Sequence, residues 1–227
     1  DLTLEAAFKI GRAFIFSTKA KNVVICQDAR LSSPDLFSAL VAGILAEGAK
    51  VTSIGQLPTE CLYFAVGSYD FDGGIMITAS HNPKDYNGFK MVRRERKDII
   101  WVRGKDLAAI VDQFVYDPDA KPQDFATKDI MQDYTKRIFS LVKMDGIKKF
   151  KVAVDTSNGV MGNVISKLTL PVEVIPLNFT PDGNFPNHPS NPLEPGSSDQ
   201  IQALIQKEKA DFGAMFDGDA DRIFLVD

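Results

Sequence analysis

Three aspartates stand at alternate positions in AMFDGDADRIF, at Asp217, Asp219 and Asp221, directly behind a short apolar run. Alternate residues of an extended segment share one face, and their β-carbons lie roughly 6–7 Å apart along a straight strand. Gly218 and Ala220 are small enough to let the segment curl until the carboxylates converge. Converging carboxylates repel one another unless a cation sits among them. An all-oxygen donor set selects a hard ion, Mg2+ ahead of Ca2+. Mg2+ is usually held by one or two carboxylates with phosphate and water completing the shell, so a phosphate oxygen is the expected further ligand. Arg222 follows directly and is placed to fork onto that phosphate.

A second constellation lies in ITASHNPKDYNGFK, residues 77 to 90, where an apolar run ends in Ser80-His81-Asn82-Pro83. Loops at the carboxyl ends of strands in an α/β sheet form the ligand crevice. A serine there presents a hydroxyl nucleophile, and the N–H groups around it face an anion. His81 titrates near neutral pH, and Lys90 returns to the same place with a positive charge. A hydroxyl, a titratable ring and a cation suit phosphoryl transfer. A phosphorylated serine carries nearly two negative charges, and a divalent ion held by the aspartates would balance them. The two loops therefore explain each other.

Other chemistries fit less of the sequence. Taken singly, Ser80 also reads as a turn residue, His81 as a hydrogen-bonded structural ring and Lys90 as a solvated lysine. A calcium EF-hand is excluded because its sixth loop position, which needs glycine, is Arg222. A Mg2+-dependent phosphatase with Asp217 as nucleophile and Asp219 as acid accounts for two aspartates after a strand. It leaves Asp221 and the serine loop without a role. A third alternative is a Mg2+-holding domain pair with no chemistry.

The elements that must position these loops alternate along the chain. NVVIC (22–26), KVTSIG (50–55) and GGIMIT (73–78) read as strands. Between them run helices in SSPDLFSALVAGILAEGAK, with Ser33 as N-cap and Gly48 as stop, and in PTECLYFAVGSY. FKMV (89–92), a charged turn in RRERKD, IIWV and a helix in GKDLAAIVDQFV close the unit. DPDAKPQD (117–124) lacks periodicity and carries two prolines, which marks a boundary. The alternation then resumes. A helix over 128–144 carries apolar Ile130, Tyr134, Ile138 and Leu141. FKVAVD (150–155) is a strand, NGVMGNVISKLT a helix and PVEVIPL a strand. A proline-rich loop over 178–196 leads to the helix SSDQIQALIQKEKA and the strands DFGAMFD and RIFLVD. The expectation is two consecutive three-layer α/β domains, 1–120 and 121–227, each a mixed, largely parallel sheet between helices. Both ends of the chain read as cut, with the second domain incomplete at its end.

Composition sets the class. Of 227 residues, 44% are apolar and 25% charged, ordinary for a globular chain. A net charge of −4 gives no electrostatic case for nucleic acid or an anionic membrane surface. No apolar run approaches a membrane span, and the opening helix carries Lys9 and Arg12 where a signal peptide would be apolar. Cys26 and Cys61 sit in apolar segments and read as reduced core residues of a cytoplasmic protein.

GIMITASHNPKDYNGFK and FDGDADR resemble the serine loop and the metal loop of the α-D-phosphohexomutases, nearest the phosphomannomutase/phosphoglucomutase branch. DARLSSPDL, IGQLPTECLYFAV, VAVDTSNGVMG and PDGNFPNHPSNP match in style. The resemblance implies a phosphoserine at Ser80 and Mg2+ held by Ser80, Asp217, Asp219 and Asp221. It further implies phosphate contact by Arg222, with Lys90 and His81 as proton-transfer residues, Lys90 through a pKa lowered by the neighbouring metal and Arg222. Hexose 6-phosphate and hexose 1-phosphate would interconvert through a hexose 1,6-bisphosphate, with mannose or glucose favoured over an amino sugar. The family has four domains, and the loops characteristic of domains III and IV are not found in this chain. It is therefore expected to be a fragment with little turnover alone.

Overall fold

A computed structural model of the protein describes residues 2–227. The first sheet is built on three short strands, β1 (Asn22–Gln27), β2 (Lys50–Gln56) and β3 (Gly73–Ile77); β1 and β3 bury almost completely, and β2 buries Val51 and Ile54. β1 pairs in parallel with both β2 and β3. Two antiparallel strands, β4 (Phe89–Glu95) and β5 (Asp98–Val102), extend one edge. β6 (Ala126–Thr127) adds a parallel pair to the far edge against β2, completing the order β5-β4-β3-β1-β2-β6.

Helices cover both faces. α1 (Leu4–Thr18), α2 (Ser33–Ala46) and α4 (Gly104–Val111) line one face through Phe14, Leu40, Ile44 and Leu107. α3 (Thr59–Ser68) lines the other through Cys61, Leu62 and Val66, joined by Ile130 and Met131 at the start of α5 (Met131–Leu141). Each large apolar side chain so buried contributes roughly 1.5–3 kcal/mol. Beyond residue 120 the chain thus still serves the first sheet, through β6 and the buried start of α5.

The second sheet is built from β7 (Lys151–Asp155), β8 (Glu173–Leu177), β9 (Phe212–Phe216) and β10 (Ile223–Val226), in the order β10-β9-β7-β8. β7 pairs in parallel with β8 and β9, and β10 runs antiparallel to β9. Its order and sense repeat β4-β3-β1-β2 of the first sheet, so β9 is the counterpart of β3. The helix α7 (Asp199–Glu208) packs one face through Ile201 and Ile205.

Four local expectations are corrected. The helix expected over 158–169 shrinks to α6 (Gly162–Ile165). Ser157 and Asn158 take positive φ, and the Asn158 N–H and side chain bond to the Asn178 and Thr180 carbonyls. The helix expected over 128–144 is confined to α5, with Asp129 accepting from the Met131 N–H. Arg93 to Glu95 lie in β4, because the hairpin pairs Arg93 with Ile100 and Arg94 with Ile99; only Arg96 and Lys97 turn. Ser33 does not cap α2, since its hydroxyl donates to Asp28.

Candidate active site

Every loop at the carboxyl ends of the parallel strands β1, β2, β3, β7, β8 and β9 runs into the seam between the two sheets. The serine loop follows β3 and the aspartate loop follows β9, at equivalent places in the two units. Their closest approach is direct. The Ser80 hydroxyl donates to Asp217 Oδ2 at 2.9 Å, across a separation of 137 residues.

The serine loop is held in a tight form. Ser80 takes φ 53, in the left-handed region that non-glycine residues enter only when surroundings impose it. Its N–H donates to Thr78 Oγ1, and the Thr78 N–H to the Gly88 carbonyl. Arg30 supplies most of the constraint. Its side chain is fully buried, and all five guanidinium N–H groups find acceptors. Nε donates to Asp28 at 3.1 Å, Nη1 to the Pro83 and Tyr86 carbonyls, and Nη2 to the Ser80 and Asn82 carbonyls. Burial pushes the Asp28 carboxyl above its usual range, although Arg30 works against this. The proline-rich loop closes over the same arginine, with the Phe185 ring 5.4 Å from the guanidinium and Ser190 Oγ donating to the Asn82 carbonyl at 3.3 Å.

The aspartate loop curls as its small residues permit. Ala220 takes φ 60 and donates its N–H to the Asp217 carbonyl. Gly218 admits no side chain, since a Cβ there would stand 2.9 Å from the Ser80 carbonyl oxygen. One carboxylate oxygen from each of Asp217, Asp219 and Asp221 lies within 4.8 Å of the others, and this is the one such acidic cluster among the described residues. Asp217 and Asp219 are fully buried. Burial first, and the Asp219 charge next, push the Asp217 carboxyl up to about 6. Asp219 Oδ1 is buried with no partner. An unpartnered oxygen, crowded buried carboxylates and an all-oxygen donor set suit a hard divalent cation such as Mg2+.

Cations surround the pair of loops. Arg222 Nη2 donates to Ser80 Oγ at 3.0 Å and to His81 Nδ1 at 2.5 Å. A guanidinium only donates, so Nδ1 accepts and the imidazole proton sits on Nε2. Partial burial and then the Arg222 charge lower the His81 pKa, in keeping with a ring whose Nδ1 accepts from Arg222. His81 Nδ1 is 3.5 Å from Ser80 Oγ. Lys90 Nζ reaches Asp219 Oδ2 at 2.6 Å and also contacts Asp221. Burial works to lower its pKa, but the two carboxylates outweigh burial and the pKa is raised. Arg222 does not supply the lowering expected for Lys90, because it is turned toward the serine; a metal ion on the aspartates, the other expected source, would act against these same carboxylates.

Of the seven residues expected from sequence, all meet at this seam. Three others went unrecognised. Arg30 lay within DARLSS with nothing to separate it from a solvated arginine. Thr59 donates its hydroxyl to Asp219 Oδ2 at 2.5 Å. Glu60, next to it, is raised to about 7 by burial, with Asp221 and Asp219 adding to the effect. Asn187 and His188 fall in the proline-rich loop as expected, and His188 is pinned there by Asp155 at 3.0 Å.

Two α/β units thus join a serine loop to a three-aspartate loop at one seam. Residues 1–111 match phosphoglucomutase/phosphomannomutase alpha/beta/alpha domain I and residues 132–227 match domain II, so the chain belongs to the phosphoglucomutase/phosphomannomutase family. It is 36% identical to the phosphomannomutase of Escherichia coli over 237 residues, covering 100% of this chain and 52% of that protein. It is 38% identical to the phosphomannomutase/phosphoglucomutase of Pseudomonas aeruginosa, covering 99% of this chain and 49% of that one. The solved structure of a phosphoglucomutase/phosphomannomutase family protein from Burkholderia thailandensis superposes with a TM-score of 0.83 at 33% identity, covering 99% of this chain and 51% of the other. The chain spans about half the length of the curated relatives it matches.

Proposed function

We propose that this chain carries the phosphoserine and metal-binding parts of a phosphohexomutase site, interconverting the 6-phosphate and 1-phosphate of mannose, glucose or both through a hexose 1,6-bisphosphate. The observation that carries the reading is the hydrogen bond from Ser80 Oγ to Asp217, with Arg222 on the same hydroxyl. The names of the similar enzymes support the choice of sugar phosphate.

Phosphorylated Ser80 would give its phosphoryl group to a free hydroxyl of a hexose monophosphate. The Oγ–P bond breaks, a P–O bond to the sugar forms, and the sugar hydroxyl releases its proton. The resulting bisphosphate returns its other phosphoryl group to Ser80. Asp217, Asp219 and Asp221, with the Ser80 phosphate, would hold Mg2+, which supplies charge neutralisation at the transferring group. Arg222 would contact the same phosphate. His81 and Lys90 are the proton carriers of the proposal. Lys90 stands as a charged ammonium, so it must surrender its carboxylate contacts before accepting a proton. His81 already offers Nδ1 as an acceptor, to Arg222, and needs no such exchange. Sugar recognition is assigned to domains III and IV, in the half of the relatives' length that this chain does not span.

An aspartate-nucleophile phosphatase is disfavoured by Asp217 itself. Its carboxylate is fully buried, bonded to Ser80 and raised in pKa, so its oxygen is neither free nor open to a substrate. Incubating the chain with glucose 1,6-bisphosphate and Mg2+ tests the assignment. One phosphoryl group, ~80 Da, is expected on Ser80 and absent in Ser80→Ala. Label on an aspartate, or an unmodified Ser80 under every condition, overturns it.

A further inference from the structure

We propose that Thr59, at the start of α3 in the first unit, is a positioning residue that decides which oxygen of Asp219 is offered to the cation. The proposal rests on the reading of the aspartate loop as a metal site. Thr59 is fully buried and touches the loop twice. Its N–H donates to the Asp219 carbonyl at 3.1 Å, and its hydroxyl to Asp219 Oδ2 at 2.5 Å. Lys90 donates to that same Oδ2.

The two oxygens of Asp219 are therefore unequal. Oδ2 receives two donors, one of them charged, while Oδ1 is buried with none. An ionised carboxylate has acceptor capacity on both oxygens, and leaving one unmade in a buried site is costly. A single torsion exchanges the two oxygens, so whatever fixes Oδ2 also fixes where Oδ1 points. Lys90 is a long side chain with three rotatable donors and sets direction poorly. Thr59 is β-branched, restricted at χ1, and preceded by Pro58 with its fixed φ. Its hydroxyl is the rigid member of the pair.

The consequence is specific. Asp219 belongs to the second unit, yet its ligating orientation is set from the first. Metal affinity should then depend on a residue that touches neither cation nor substrate. Outer-sphere groups that orient ligands typically change metal affinity 10–100-fold when removed. A residue that merely packs the interface would lower stability alike with and without metal, and serine would not restore what valine removes.

Isothermal titration of Mg2+ into the full chain tests this, for wild type, Thr59→Val and Thr59→Ser. Thr59→Val is expected to weaken Mg2+ binding roughly 10–100-fold, with Thr59→Ser near wild type. The rise in melting temperature on replacing EDTA by Mg2+ should shrink in Thr59→Val and persist in Thr59→Ser. Thr59→Ala, which adds no bulk, carries the same comparison if the valine variant does not fold. Wild-type affinity in the variant lacking the hydroxyl overturns the positioning role while leaving the metal site intact. A wild-type chain that binds no Mg2+ overturns the metal site itself, and the role of Thr59 with it.

Discussion

Arg30 is the residue on which the serine loop depends most, and its replacement by lysine offers the sharpest test of that dependence. The guanidinium uses all five of its N–H groups, four of them on backbone carbonyls of residues 80, 82, 83 and 86 and one on Asp28. Lysine keeps the charge but has three donors on one nitrogen, so at least two acceptors lose their partner. Each buried acceptor left unmade costs about 1–3 kcal/mol, which puts Arg30→Lys at roughly 2–6 kcal/mol. Arg30→Met removes the charge as well and strands Asp28, and breaking a buried pair in this way costs about 3–5 kcal/mol before the carbonyls are counted. Urea denaturation followed by tryptophan fluorescence reads both losses as shifts in midpoint. The loop carries φ 53 at Ser80, so phosphorylation of Ser80 from a hexose 1,6-bisphosphate should slow along with the loss of stability. If Arg30→Lys unfolds within about 0.5 kcal/mol of wild type, an ordinary surface effect, the five-bond account of the loop is wrong.

Other consequences follow from the same geometry. In the absence of divalent cation, stability should fall as pH rises. Asp217, raised from 3.8 to about 6, favours the folded state below pH 4 and loses that contribution as pH climbs through 6, an effect of about 3 kcal/mol. Saturating Mg2+ should flatten this dependence and Asp217→Asn should reduce it, measured by thermal melts between pH 4 and 8. His188 carries a raised pKa from its bond to Asp155 despite burial, so its contribution is full below its ordinary pKa and fades as pH rises through the raised one. His188→Gln should therefore cost about 1–3 kcal/mol at pH 6 and less at pH 9, by the same melts. Gly218→Ala should part the two loops, since the added carbon meets the Ser80 carbonyl at 2.9 Å. A loss of roughly 1–3 kcal/mol is expected in the urea midpoint, with weaker Mg2+ binding by calorimetry.

The candidate site residues were legible because the chemistry expected of them is tied to local spacing. Three aspartates at alternate positions behind an apolar run, and a serine at a strand end, are both short-range patterns. The parallel strands other than β6 were legible for the same reason, as brief branched runs between turn signals. What sequence did not disclose depends on partners far along the chain. Arg30 is marked out only by carbonyls some fifty residues away, and Thr59 only by an aspartate 160 residues away. β6 is two residues long and leaves no period to read. α6 was overestimated because the alternation calls for a helix after β7, while NGVMGNVISKLT is rich in weak helix formers and long-range bonds hold Ser157 and Asn158 at positive φ. Arg222, weighed as a neighbour of Lys90, turns instead to Ser80, while Lys90 contacts Asp219 and Asp221 from the far end of the chain, and these raise its pKa.

In the proposed site a serine from the first unit and three aspartates from the second surround one cation. Anomalous diffraction from crystals soaked in Mn2+, a stand-in for Mg2+, tests it most directly. A single peak is expected within bonding distance of Asp217, Asp219 and Asp221, on the side facing Ser80 Oγ. A peak at other acidic residues, or none at the aspartate loop when the ion is in excess, contradicts the account.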